Sequence, residues 1–361
     1  MHLRVVQRIL GVLLMLYSAT MMPPVAVSVY YADGEARTFI EACAITFLAG
    51  LIAWLPARNE RRELRLRDGF LVAAVFWLGL GSFGALPLLL ADTPDMSLTD
   101  AIFEAVSGLT TTGATVLSGL ESLPRSILYY RAQLHWLGGM GIIVLAVAIL
   151  PMLGVGGMQL YRAETPGPMK DSKLTPRITE TAKALWLIYV GLTAACAFAF
   201  WYAGMSPFDA ICHSFATLAT GGFSTHDASI AWFNSPAVEG VAILFMFLAG
   251  ANFSLHFVAW RSRDLRAYWR DPEFRAYALI LLVLILTATA ILTITGHYAT
   301  LGESARHAAF HFVSFMTSTG FVASGFDRWP GALPLTLILV SFIGGCAGST
   351  GGGMKVVRWL L

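Results

Sequence analysis

The sequence predicts an all-α membrane protein in which membrane-spanning helices alternate with three copies of a short pore loop. Composition is the first observation behind this prediction: of 361 residues, 57% are hydrophobic and only 13% are charged, too apolar a balance for a soluble domain of this length. The second observation is a series of apolar segments close to the ~20 residues that a helix needs to cross a bilayer. The third is an internal repeat.

Eight spans are predicted. The first follows Arg4 and Arg8, as the apolar part of a signal peptide would, but its apolar run continues past Pro24 to Tyr31, which favours a retained span. The predicted spans are 9–31, 38–56, 70–91, 126–153, 183–204, 236–260, 276–296 and 331–347.

Charge alternates between successive connections. Most of the 24 Lys and Arg residues lie in every second connection, whereas the others carry mainly acidic residues such as Asp92 and Asp227. The positive-inside rule then predicts a cytoplasmic N-terminus and a multi-pass protein in the lipid bilayer. The basic residues of the predicted cytoplasmic side are Arg4, Arg8, Arg58, Arg61, Arg62, Arg65, Arg67, Arg162, Lys170, Lys173, Arg177, Lys183, Arg261, Arg263, Arg266, Arg270, Arg275, Lys355 and Arg358.

The cysteines give no sign of a cofactor site. Cys43, Cys196, Cys212 and Cys346 all fall in apolar stretches, without CxxC or His-paired spacing, so we predict packing residues rather than a disulfide or a metal site. We expect no organic cofactor in this chain and no nucleic-acid partner.

Three segments on the predicted outer side align without a gap: 101–115, 210–225 and 308–323. Each follows one span and precedes another, and each ends in a Thr/Gly-rich turn. An apolar stretch of about ten residues is too short to cross the bilayer, so each segment should enter the membrane and return. The corresponding turn residues are Thr111, Thr220 and Ser318, then Thr112, Gly221 and Thr319, then Gly113, Gly222 and Gly320.

The chemistry of these turns suits a monovalent cation. The partly negative C-terminus of the preceding helix would point into the protein, and the glycine would allow carbonyls to turn inward and replace the water shell of an ion. The turns contain no Asp or Glu, which argues against a filter for divalent cations. The alternative is that small residues merely let membrane helices pack closely.

One polar position recurs in the three predicted pore helices, occupied by Glu104, His213 and His311. Buried ionisable groups in membranes are often functional, which raises a proton relay as one interpretation. The residue type changes between copies, so a polar contact around the pore helix is the favoured interpretation.

The last predicted span is interrupted by glycines between Gly344 and Gly353, which predicts a flexible intramembrane loop instead of a continuous helix. A cytoplasmic linker is the alternative. Lys355 and Arg358 follow; near an inner mouth they would repel cations or anchor the helix in the headgroups, and anchoring is favoured.

At these motifs the sequence resembles the Trk/Ktr/HKT superfamily of potassium transporters, and within it the bacterial TrkH/TrkG type of potassium-uptake subunit. The resemblance covers the whole chain and includes the glycine motif at 137–143, the stretch 163–183 and the segment 344–355.

The resemblance implies tandem membrane-pore-membrane repeats around a pseudo-fourfold pore, with two additional N-terminal helices. The implied segments are 1–69 for the two N-terminal helices and a cytoplasmic loop, 70–160 for the first pore repeat, 161–260 for a cytoplasmic loop and the second repeat, and 261–361 for the third, with an incomplete second helix.

It also implies K⁺ as the transported ion, a homodimer in the bacterial inner membrane, and a cytosolic nucleotide-binding TrkA-type regulatory subunit. The turn residues above would form the selectivity filter, with K⁺ bound at Thr111, Thr112, Thr220, Gly221, Ser318 and Thr319. The implied gate comprises Gly344, Gly345, Gly348, Ser349, Thr350, Gly351, Gly352 and Gly353.

The sequence departs from the family pattern in having no fourth loop before Leu361, where the repeat spacing predicts roughly another hundred residues. A non-conducting fragment or regulatory membrane subunit is therefore the alternative function. An enzyme is not expected, because the chain has no HExxH or GxSxG motif. Channel-like conduction and proton-coupled symport both remain open.

Overall fold

The computed structural model describes residues 3–60, 66–141 and 178–361, which are helical with no β-strand among them. The chain divides into two compact units, Met1–Trp186 and Leu187–Leu361. Several predictions lie outside the described residues: the boundary at 160, the end of the span 126–153, most of the stretch 163–183, and the basic residues Arg61, Arg62, Arg65, Arg162, Lys170, Lys173 and Arg177.

The first unit begins with two apolar segments that are long enough to cross a membrane, the first of them formed by two helices. Its described helices are α1 (Leu3–Ala19), α2 (Met22–Tyr31), α3 (Ala36–Trp54), α4 (Leu66–Gly84), α5 (Leu86–Leu90), α6 (Leu98–Leu109) and α7 (Arg125–Trp136), with single turns at Leu55–Ala57, Leu120–Ser122 and Leu137–Gly141.

Two glycines set the crossing of α1 and α3. A Cβ added to Gly11 would lie 2.7 Å from the Gly50 carbonyl oxygen, and one added to Gly50 would lie 2.7 Å from that of Gly11. The two backbones therefore approach as closely as only glycine allows, as in other small-residue contacts between membrane helices. Gln7 adds a hydrogen bond from Nε2 to the Ala53 carbonyl, at 2.9 Å.

A buried ion pair joins α6 to α7. Arg131 Nε lies 2.7 Å from Glu104 Oε1, and the side chains are 1% and 0% exposed. Arg131 also donates to Thr115 Oγ1 at 3.1 Å, beyond the end of α6. Since a charge without its partner is costly in a low-dielectric interior, the pair fixes the first pore loop against α7.

The second unit contains the other two predicted pore loops. Its described helices are α8 (Ile178–Tyr202, which begins before the unit boundary), α9 (Pro207–Leu218), α10 (Pro236–Ala249), α11 (Phe253–Ser262), α12 (Arg266–Arg270), α13 (Pro272–Ile294), α14 (Leu301–Met316), α15 (Leu333–Ser341) and α16 (Val356–Leu360), with single turns at Ser229–Phe233 and Phe326–Arg328.

Four continuous segments of the described chain are long and apolar enough to cross a membrane: Leu3–Tyr31, Ala36–Ala57, Lys183–Tyr202 and Pro272–Ile294. They match four of the eight predicted spans. Along α13, exposed side chains such as Leu279, Val283 and Leu286 leave an apolar surface suited to lipid. The predicted span 70–91 is divided between α4 and α5, and of 331–347 only Leu333–Ser341 is helical.

The predicted span at 236–260 is broken in the structure and is not one continuous helix. Helix α10 ends at Ala249, α11 begins at Phe253, and the two helices are bent by 96°. The side chain of Asn252 accepts a hydrogen bond from the Ser254 amide at 2.8 Å, which caps a new helix. The Gly250 carbonyl accepts from the Cys346 amide at 2.8 Å, so it pairs outside its own helix.

We predict that Gly50→Ala destabilises the protein by about 1–3 kcal/mol, because the added methyl group overlaps the α1 backbone. Gly191→Ala is the matched control, since Gly191 also lies in a long apolar helix but a Cβ added there would have no atom within 4 Å. Thermal unfolding in detergent measures both. Equal unfolding temperatures for the two variants would contradict the close-contact interpretation.

We also predict that Glu104→Gln costs about 3–5 kcal/mol, because the buried Arg131 guanidinium loses the carboxylate that contacts its Nε. The control is Glu41→Gln, which removes a carboxylate from a solvent-exposed pair with Arg37 and should have a much smaller effect on stability. The same unfolding measurement compares them. A stability loss for Glu104→Gln as small as that of the control would show that the ion pair does not hold the loop.

Candidate functional site

Each predicted pore loop begins with a helix that is capped in the same way. A Ser or Thr side chain precedes the helix and accepts a hydrogen bond from the amide of an acidic residue three positions later. This signal is local and repeated, so it could have been found in the sequence, but it was missed there. The pairs are Ser97 with Asp100 at 3.2 Å, Ser206 with Asp209 at 3.1 Å, and Thr300 with Glu303 at 3.2 Å.

The three helices also end in the same way. The first turn residue of each loop is in the left-handed region although it is not glycine, and the glycine two positions later is there as well. The amide between them bonds to the carbonyl five residues earlier, as in a Schellman cap. The φ angles are 54° at Thr111, 52° at Thr220, 58° at Ser318, 76° at Gly113, 80° at Gly222 and 80° at Gly320. The amide bonds run from Thr112 to Ser107, Gly221 to Ala216 and Thr319 to Ser314, each at 2.9 Å.

A left-handed conformation costs a residue with a side chain about 1–2 kcal/mol. Three such residues at matching positions indicate that the surrounding structure imposes the turn, and strain of this kind concentrates at functional sites. The gapless alignment of the sequence is therefore matched by a repeated backbone conformation.

In the second unit, the second and third loops contact each other through their backbones. A Cβ on Gly222 would lie 1.9 Å from the Thr319 carbonyl oxygen, so no larger residue fits at this conformation. Further along, the Ala231 amide donates to the Val322 carbonyl at 3.0 Å. The two loops are thus held at a fixed separation.

In the first two loops, the recurrent polar position connects the pore helix to the chain that follows its turn. Glu104 accepts hydrogen bonds from Thr115 Oγ1 at 2.9 Å and from the Val116 amide at 3.2 Å. In the second loop, His213 Nε2 lies 3.0 Å from Oγ of Ser224, the residue that corresponds to Thr115.

In the third loop, His311 Nδ1 donates to the His307 carbonyl one turn earlier, at 3.0 Å. All three side chains of this position are 0% exposed. These contacts agree with the favoured interpretation of a polar contact around the pore helix.

The glycine-rich segment between α15 and α16 is a loop, as its glycines predict. The helix ends at Ser341 and resumes at Val356. The two sides of the loop pass very close together: a Cβ on Gly344 would lie 2.2 Å from the Gly352 carbonyl oxygen, and one on Gly353 would lie 2.6 Å from the Gly344 Cα. Larger residues would force the two sides apart.

The tip of this loop lies against the second and third pore loops. Thr350 Oγ1 is 2.9 Å from the carbonyl oxygen of Leu218, the last residue of α9, and 3.2 Å from that of Ala249. The Gly352 amide donates to Ser318 Oγ at 2.6 Å. A predicted gate residue therefore bonds directly to a predicted filter residue.

The remaining predicted gate residues lie in the same loop. The Gly348 carbonyl accepts from the Phe253 amide at 3.1 Å, and that of Gly345 accepts from Val356 at 3.1 Å. Ser349 Oγ donates to the Cys346 carbonyl at 2.7 Å. Lys355 Nζ donates to the Gly351 carbonyl, which places this cation at the loop itself.

The first pore loop belongs to the other unit, where Gly138 of the glycine motif contacts it. A Cβ on Gly138 would lie 1.8 Å from the carbonyl oxygen of Leu109, the last residue of α6. Glycine therefore permits close backbone contact with the C-terminus of the pore helix in this unit too.

Comparison with known proteins places this architecture in a family. The family model TrkH, described as a cation transport protein, matches residues 35–361. The Trk system potassium uptake protein TrkH of Halomonas elongata is 58% identical over 361 residues, and that of Escherichia coli K12 is 54% identical; each match covers 100% of this chain and 75% of the relative.

The crystal structure of the potassium transporter TrkH from Vibrio parahaemolyticus matches with a TM-score of 0.89 and 50% identity, covering 100% of this chain and 74% of that one. This likeness confirms the predicted all-α membrane fold, and the family is one of transport proteins rather than enzymes. The chain belongs to the TrkH family of cation transport proteins.

Proposed function

We propose that this chain carries potassium ions across the bacterial inner membrane, with an N-terminus on the cytoplasmic side. The observation that supports this most strongly is the repeated helix end, at which a left-handed Thr or Ser precedes a left-handed glycine in three loops. Potassium is the ion named for the relatives from Halomonas elongata and Escherichia coli.

The proposed filter consists of Thr111, Thr112, Gly113, Thr220, Gly221, Gly222, Ser318, Thr319 and Gly320. Carbonyl and hydroxyl oxygens at Thr111, Thr112, Thr220, Gly221, Ser318 and Thr319 would bind K⁺ in place of water. Because these ligands carry no full charge, the ion is held weakly enough to move on. The proposed pore repeats are 70–160, 161–260 and 261–361, following the N-terminal helices of 1–69 in a pseudo-fourfold arrangement.

The proposed gate is the loop from Gly344 to Gly353. Its support is the contact of Thr350 and Gly352 with the pore loops, because a loop in that place must move for an ion to pass. The proposed partners are a second copy of the chain and a TrkA-type cytosolic subunit that binds nucleotide, since the relatives are named as members of a Trk system.

A pair of glycine substitutions tests the filter. Gly222 and Gly320 share a φ of 80°, but a Cβ at Gly222 strikes the Thr319 carbonyl whereas one at Gly320 has no atom within 4 Å. Both variants carry similar backbone strain, so Gly222→Ala should reduce ⁸⁶Rb⁺ uptake at least about tenfold relative to Gly320→Ala. Uptake is measured in cells that depend on the protein for potassium. Uptake by Gly222→Ala as high as that of the unsubstituted protein would argue against a filter at this contact.

A hydroxyl deletion tests the gate. Thr350→Val keeps the side-chain shape but removes the hydrogen bonds to Leu218 and Ala249, so it should raise ⁸⁶Rb⁺ flux in proteoliposomes without a regulatory partner about three- to tenfold. Thr336→Val is the control, because the Thr336 hydroxyl donates to the Ala332 carbonyl at the start of its own helix, α15. No difference between these variants would contradict the gate assignment.

A further inference from the structure

We propose that Glu273 is a positioning residue for the glycine-rich loop, holding the base of the loop against helix α13 with a single carboxylate oxygen. This inference rests on the proposed gate for its effect on transport. Its effect on the position of the loop is independent of that function.

One carboxylate oxygen of Glu273 bonds to both ends of the loop. Glu273 Oε1 accepts a hydrogen bond from the Ala347 amide at 2.7 Å and another from the Val357 amide at 3.1 Å. One atom therefore joins the two ends of the segment 348–356, which includes the tip of the loop. The side chain is 3% exposed, so water does not compete strongly for these amides.

Glu273 is held at the capped start of a long helix. Glu273 lies in the first turn of α13, and the side chain of Asp271 caps that helix by accepting from the Phe274 amide at 2.7 Å. Helix α13 is a continuous apolar segment of 23 residues. The Glu273 carboxylate thus connects the glycine-rich loop to α13, a long helix that does not adjoin this loop in the sequence.

The other bonds at the base do not provide this connection. The Met354 amide donates to the Phe342 carbonyl at 3.0 Å, and the Val356 amide donates to the Gly345 carbonyl at 3.1 Å. Both bonds join the two sides of the loop to each other, so they would survive a movement of the whole loop away from α13. Glu273 opposes that movement directly.

Two substitutions separate hydrogen bonding from charge. Glu273→Ala removes the acceptor, whereas Glu273→Gln retains an amide oxygen that accepts from the same two amides. Glu239→Ala is the matched control, because Glu239 is a buried carboxylate of the second unit that contacts Arg306 instead of the loop.

The first measurement is the rate at which N-ethylmaleimide alkylates Cys346 in the native protein, quantified by mass spectrometry. Cys346 precedes Ala347 and is 1% exposed. We expect at least about a tenfold faster reaction in Glu273→Ala, because two hydrogen bonds to a carboxylate are lost. The rate should remain within about twofold of the unsubstituted protein in Glu273→Gln and Glu239→Ala.

Cys196 and Cys212 are buried in the same unit and serve as internal controls for unfolding. If they react as much faster as Cys346 does in Glu273→Ala, the residue stabilises the unit as a whole and the proposal is overturned. It is also overturned if Cys346 remains protected in Glu273→Ala, or if Glu273→Gln exposes it equally.

The second measurement is ⁸⁶Rb⁺ flux through the same variants, which should increase in Glu273→Ala. Faster alkylation of Cys346 with unchanged flux would support the positioning role of Glu273 and reject the assignment of the loop as a gate. This combination distinguishes a failure of the proposed function from a failure of the inference.

Discussion

Backbone hydrogen bonding is the constraint on which the rest of this structure depends. Within lipid, an unpaired amide or carbonyl group costs several kcal/mol, so a non-helical segment persists only where protein or water satisfies its polar groups. The three turns help to meet this constraint by bonding one amide at each helix end to a carbonyl five residues earlier. In the proposed filter, carbonyl oxygens of these turns would bind an ion in place of water.

Glycine solves the accompanying steric problem. Two backbones must come close together for one loop to form hydrogen bonds with the polar groups of another. A side chain between them would hold them apart. The contact of Gly222 with the Thr319 carbonyl fixes two pore loops, and that of Gly344 with Gly352 closes the glycine-rich loop. The same residue type thus allows two pore loops to meet in one place and a single loop to close in the other.

The features predictable from sequence were those with a local or repeated pattern. The threefold alignment located the left-handed turns at Thr111, Thr220 and Ser318, and the glycines predicted the interruption after Ser341. The bend at Asn252 was missed because a long apolar run outweighed one polar residue. A capping side chain inside such a run is a local signal that could have revealed it.

The contacts between distant segments could not be predicted in this way. Glu273 bonds to Ala347 and Val357, more than seventy residues along the chain, and nothing in the local pattern distinguishes it from an ordinary acidic residue in the first turn of a helix. The bond from Gly352 to Ser318 is of the same kind. Which residues form such hydrogen bonds is determined by the tertiary packing of segments that are distant in the sequence.

The repeated turns are proposed to bind a potassium ion through uncharged oxygens. Anomalous diffraction from crystals of the native protein grown in Rb⁺ would locate that ion, because Rb⁺ has chemistry close to that of K⁺ and scatters anomalously. We predict an anomalous peak beside the carbonyl oxygens of Thr220 and Ser318 that disappears when Rb⁺ is replaced by Na⁺. The absence of a peak at these residues, with Rb⁺ bound elsewhere in the protein, would show that the turns do not bind the transported ion.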